Sequence, residues 1–160
     1  MAARVRMLAS GPHDGINSTP SMVQGEGASQ TFKKGAVLVN GSSGNVGMVV
    51  IAGADPTGIL GVAEEDGENA AVGVGSCRFV PALPHVTFEG SLDDGTGTYA
   101  LVAGDKNKAY GIAVDGNGVW YIDQTDTTNT RVVITDFKDS VGTQAARVFF
   151  KFRGSQTAFN

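Results

Sequence analysis

The sequence predicts an all-β protein, a small antiparallel β-barrel preceded by an extended N-terminal arm. Three observations carry that prediction. Glycine is the outstanding bias, with 23 residues spread through a chain of 160. Bulky apolar residues alternate with small or polar ones at a period of two in segment after segment. Between those segments stand Gly, Asp, Asn and Pro, the residues that turns require.

Residues 1–30 differ from the remainder. They carry Gly11-Pro12, Asn17-Ser18-Thr19-Pro20 and Gly25-Glu26-Gly27, with apolar residues isolated between them. Neither a period of 2 nor one of 3.6 is sustained, so the stretch reads as an extended arm that contributes little core. Its apolar residues Val5, Met7, Leu8, Ile16 and Met22 are the candidate anchors on a partner.

The barrel domain is expected over residues 31–160. Its first three strands are Ala36 to Val39, Asn45 to Ile51 and Gly58 to Ala63, the last two joined by a turn of Gly53-Ala54-Asp55-Pro56-Thr57. Ala70 to Val80 alternates Val72 and Val74 with glycines, which suits a tapering wall. Pro84 to Glu89 is a half-exposed strand. Tyr110, Ile112 and Val114 then alternate with small residues and lead into Asp115-Gly116-Asn117-Gly118, a strong hairpin signal. Val119 to Ile122 is the returning strand, and Thr130 to Phe137 and Arg147 to Phe152 form a late pair. Val119 to Ile122 and Val148 to Phe152 have apolar residues on both faces, and one barrel interior buries only one of them. The other face needs a second copy or a further layer of the same chain.

Charge and chemistry exclude several classes. Lys+Arg number 12 against 16 Asp+Glu, a net charge of -4 without a basic run, so nucleic acid is not an expected partner. The single Cys77 and two histidines do not make a structural zinc site, and no metal is expected. No stretch reaches the ~18 apolar residues of a membrane span. The opening Met-Ala-Ala-Arg-Val-Arg-Met-Leu lacks the apolar core of a signal peptide, so export by that route is not expected.

Potential sites resolve into turns or core. Asp115, Asn117 and Asp123 faintly suggest a calcium loop, yet the hairpin turn explains them and no Glu closes the loop. Glu64-Glu65-Asp66 and Asp93-Asp94 read as charged turn tips rather than acid/base pairs. His13 and His85 have no acidic partner at a fixed spacing, and Ser91 and Cys77 lack a nucleophile-elbow motif. Trp120 and Tyr121 read as core before they read as a sugar-stacking platform. Gly41, Gly44 and Gly47 repeat a dinucleotide-binding rhythm. The β-branched run at 48–51, with Gly53 and Pro56 behind it, favours a strand where that fold needs a helix. No catalytic residue and no cofactor is expected.

Phe32-Lys33-Lys34-Gly35-Ala36-Val37-Leu38-Val39, a Gly-rich turn, a second strand, Ala54-Asp55-Pro56 and Ile59-Leu60-Gly61-Val62-Ala63 together resemble the head decoration (cement) proteins of tailed bacteriophages. Tyr110-Gly111-Ile112, the hairpin into Trp120-Tyr121-Ile122-Asp123 and the Gly-x-x-x-Ala-Arg-Val-Phe-Phe ending are also similar to phage virion proteins. The resemblance covers roughly residues 31–153 and consists of strands and turns. It implies a β-tulip or jelly-roll-like barrel in a non-enzymatic virion protein. The expected partners are the major capsid protein and further copies of itself, usually a trimer at three-fold positions on the capsid exterior. The chain would be made in the host cytoplasm. A receptor- or carbohydrate-binding module of a fibre or spike is the alternative, and a nicotinamide-dependent oxidoreductase the remote one.

Overall fold

A computed structural model describes residues 3–10, 20–27, 30–41, 48–53, 55–69 and 75–159. The described strands are β1 (Leu8–Ser10), β2 (Met22–Glu26), β3 (Gln30–Phe32), β4 (Val37–Asn40), β5 (Met48–Ile51), β6 (Ile59–Ala63) and β7 (Gly67–Asn69). They continue with β8 (Ser76–Pro81), β9 (Thr87–Asp93), β10 (Ala109–Val114), β11 (Trp120–Asp123), β12 (Val132–Phe137) and β13 (Arg147–Phe152). Two single 3-10 turns, Ala103–Asp105 and Gly154–Gln156, are the helical elements among the described residues. The fold is all-β, as the alternation predicts.

Closure takes a form that the alternation does not reveal. Strands β2-β5-β4-β6-β8 form one closed barrel. Strands β9, β11, β10, β12 and β13 follow one another in a second sheet, and a β9–β13 pairing returns that sheet on itself. The expectation was a single barrel. Ten or more strands in one ring would enclose a lumen too wide for side chains to fill, whereas small rings fill themselves. The first ring is filled by Leu38, Val49, Ile59, Cys77 and Phe79, each fully buried. In the second, Phe88, Phe150 and Phe152 pack with ring centroids 5.1–5.8 Å apart, beside buried Trp120, Ile112, Ile122 and Ile134.

The Gly41–Gly47 run is decided by what flanks it, since residues 42–47 lie outside the described residues. β4 and β5 pair antiparallel, Leu38 opposite Ile51 and Asn40 opposite Val49. A dinucleotide-binding βαβ unit sets those two strands parallel. The run therefore joins antiparallel neighbours, as the β-branched residues behind it demand. The strand expected over Ala70 to Val80 begins only at Ser76, and residues 70–74 lie outside the described residues.

The described parts of the first thirty residues belong to the body of the protein. β2 pairs with β8 over Met22 to Gly25 and with β5 at Gly25 and Glu26, so it closes the first barrel. β1 pairs with β9, Leu8 opposite Glu89 and Ser10 opposite Thr87. The arm boundary expected near residue 30 thus falls inside the strand network. Strands of three to five residues are too short to establish a period, and their partners lie tens of residues away.

β11 shows how one chain covers both strand faces. Trp120 and Ile122 point into the second ring, 1% and 0% exposed, while Tyr121 on the opposite face is only 8% exposed. The Arg4 guanidinium lies over the Tyr121 ring, 4.2 Å from its centroid. Of the two covers expected for such a face, a second copy or a further layer of the same chain, the layer of the same chain is present at Tyr121.

Candidate interaction surface

The five candidate anchors divide in space. Met7 is fully buried and packs over Gly90 beside Phe150, so its side chain is core. Val5 is half-buried, and its N–H donates to the Ser91 hydroxyl at 2.9 Å. Leu8 and Met22 reach the surface, 41% and 42% exposed. Ile16 lies outside the described residues. Val23 and Ile51, in β2 and β5 of the first barrel, are exposed as well. A shallow groove of about 290 Å³ runs between β1 and the β6–β8 wall, lined by Leu8, Ala9, Val62 and Val80 with Lys34 and Glu64 on its margins. Aliphatic side chains and the charged Lys34 and Glu64 line it together, and more of its exposed lining is polar than apolar.

The reactive-looking residues are held in structural roles. Cys77 is fully buried, and burial followed by Glu26 and the nearby Glu65 and Glu64 pushes its thiol up to about 12. A thiol in that condition is a poor nucleophile. Ser91 is fully buried and accepts from Val5. His85 stands exposed before β9, and His13 lies outside the described residues. Glu65 accepts the Arg78 N–H, Glu64 the Ser21 hydroxyl, and Asp66 the Lys34 N–H and Lys33 ammonium. Asp94 accepts from the Thr96 N–H and hydroxyl. Asp115 accepts the N–H groups of Asn117 and Val119 across the hairpin turn. Asp123 accepts from Thr125 instead of joining Asp115 in a loop. Among the described residues, no group of three or more His, Cys, Asp and Glu is arranged to hold a metal ion.

Three polar centres escaped sequence reasoning. Asp105, 1% exposed, accepts from the Tyr110 hydroxyl at 2.7 Å, the Tyr99 hydroxyl at 3.0 Å and the Val102 N–H at 3.0 Å. Burial and that carboxylate push the Tyr99 hydroxyl up to about 12, and Tyr110 is raised by the same causes. The second centre is Arg4, nine-tenths buried, which reaches Asp93 at 2.5 Å and Asp115 at 3.2 Å. It sits where β1 and β11 share one edge of β9, and it fastens residues 3–10 to the second ring. The third is the pair Asp55 and Asp126, taken up below. The Arg4 and Asp55 centres join residues far apart in the chain, and the Asp105 centre, though local, matches no motif of known spacing.

Arg4→Ala should lower the stability of the whole protein by about 2 kcal/mol, because it leaves the fully buried Asp93 carboxylate without its cation. Asp93 keeps the N–H groups of Asp94 and Gly97, which limits the loss. Urea denaturation measures it, with Arg4→Lys restoring part of the effect. An unchanged midpoint would show that the guanidinium contributes nothing net.

What the fold defines is an all-β protein of two small closed rings, with turn-capping carboxylates and a shallow groove of mixed lining. Comparison with protein-family models, with curated proteins and with solved structures finds no match.

Proposed function

We propose that this is a structural virion protein, one that binds the outer surface of an assembled phage capsid and stabilises it. The observation that supports this reading best concerns the segments that resemble head decoration proteins. They form β4, β5 and β6, side by side in one closed barrel. Closure leaves the strands of that barrel without free edges, which suits a protein displayed in many crowded copies. The exposed Leu8, Met22, Val23 and Ile51 supply the apolar contact, and several weak contacts engaged together suffice on a repeating lattice.

A trimer on three-fold positions rests on the resemblance, since the chain itself covers both faces of β11. The partners in this reading are the major capsid protein and further copies of the chain, on the exterior of the virion. A fibre-tip module that stacks on sugars needs exposed aromatic rings, and Trp120 and Tyr121 are buried. The test is co-sedimentation of the full chain with expanded heads and with unexpanded precursor shells from its own virus. Saturable binding to expanded heads, with a higher temperature of head disruption, is the expected result. Failure to bind either form would overturn the reading.

A further inference from the structure

The two rings meet at the turn between β5 and β6. Arg131, just before β12, donates from Nε to the Pro56 carbonyl at 2.6 Å and from Nη2 to the Asp55 carbonyl at 2.7 Å. Asp55 itself holds a left-handed backbone, φ 53°. Its Oδ1 is buried and has no hydrogen-bond donor among the described residues, while its carboxyl lies within hydrogen-bonding reach of the Asp126 carboxyl. Asp126 stands in the turn between β11 and β12. Its Oδ1 accepts the N–H groups of Thr128 and Asn129, and its carboxyl packs over Gly111 of β10. Two ionised carboxylates have no hydrogen to give each other. With one proton between them, one carboxyl can donate to the other.

We propose that Asp55 and Asp126 form a proton-sharing latch between the two rings, closed in mild acid and loosened as the shared proton leaves. The charged groups around it are few. Arg131 faces Asp55 from the start of β12, and the Ile112 N–H of β10 points to the same carboxyl. Asp123 at the end of β11 is occupied by Thr125, and Arg153 after β13 is bonded to Thr130. Burial, and after it the Asp126 charge, hold the Asp55 carboxyl above its ordinary range; the Asn129 N–H leads the groups that hold Asp126 below its own. A carboxyl whose folded value is raised contributes stability that is full below its unfolded value of about 3.9 and is lost as pH rises through the folded value. Asp126 has the opposite sign, and its contribution is lost as pH falls. The latch therefore acts in the window above about pH 4, where Asp55 gives up the proton. Arg131 keeps the turn attached after that point, so the change is a loosening and not a separation.

This inference does not depend on the capsid reading. Its test is a pH series of thermal melts on the full chain, wild type against Asp55→Asn and Asp126→Asn, with a carboxyl-carbon NMR titration of the wild type. An amide donates to the remaining carboxylate without a shared proton. The melting temperature of the wild type should fall relative to both variants as pH rises through the window, and the pair should titrate in two separated steps. Parallel pH profiles in all three proteins would overturn the latch. So would two carboxyls that titrate independently near the ordinary value, a readout that stands even where a variant fails to fold.

Discussion

Deletion of residues 1–28 is expected to abolish cooperative folding of the first barrel. The cut removes β2, which bridges β8 and β5, and opens the ring over Cys77, Phe79 and Val49, all fully buried. It also removes Met7 from the second ring, a fully buried side chain worth roughly 1.5–3 kcal/mol. Arg4 goes with it, and the Asp93 carboxylate loses its cation. Domains hold a margin of only about 5–15 kcal/mol, so losing a closing strand together with these contacts exhausts it. The composition of the first thirty residues argued the other way, for a dispensable arm. The measurement is a thermal melt of 29–160 beside the full chain, followed by circular dichroism. An unchanged melting temperature would return these residues to the status of a tail. A protein that fails to fold after this cut cannot be used to test head binding, so surface substitutions at Leu8 or Met22 are the proper probes of contact.

The parts of this fold that were legible in the sequence are those whose chemistry is local. Asp115 to Gly118 marks the β10–β11 hairpin because the turn is built from its own residues. Gly118 adopts φ 74°, the Asp115 N–H donates to the Val119 carbonyl, and the Asp115 carboxylate accepts from Asn117. Strand register then follows, with Ile112 opposite Ile122 and Val114 opposite Trp120. In β13 the local period of two shows in the same way, with Val148, Phe150 and Phe152 buried on one face. What could not be read is how strands close into rings. The parallel pairs β2–β5 and β9–β11 join strands that are distant in sequence, and periodicity says which face is buried but not which strand lies alongside. The Arg4 centre was hidden for the same reason. Arg4 and Asp93 are 89 residues apart, and no spacing rule reaches that far.

One glycine carries a constraint that alternation alone would miss. In Gly61→Ala, the added Cβ would overlap the Val80 carbonyl oxygen and lie 2.8 Å from its carbonyl carbon and 3.0 Å from Pro81 Cα. These are backbone atoms of β8, so no side chain can swing aside to make room. Gly61 pairs with Pro81, and Val62 with Val80, so relief requires β6 and β8 to part within a closed ring. Every residue of β6 is buried, which blocks retreat to the other side. Overpacking usually costs about 1–3 kcal/mol, and a backbone clash inside a closed barrel belongs at or beyond the top of that range. Gly53→Ala is the control: nothing lies within 4 Å of its added Cβ, and its effect should stay within about 0.5 kcal/mol. Urea denaturation of the two variants beside the wild type makes the comparison. Equal midpoints for all three would mean that the β6–β8 approach is looser than the ladder requires.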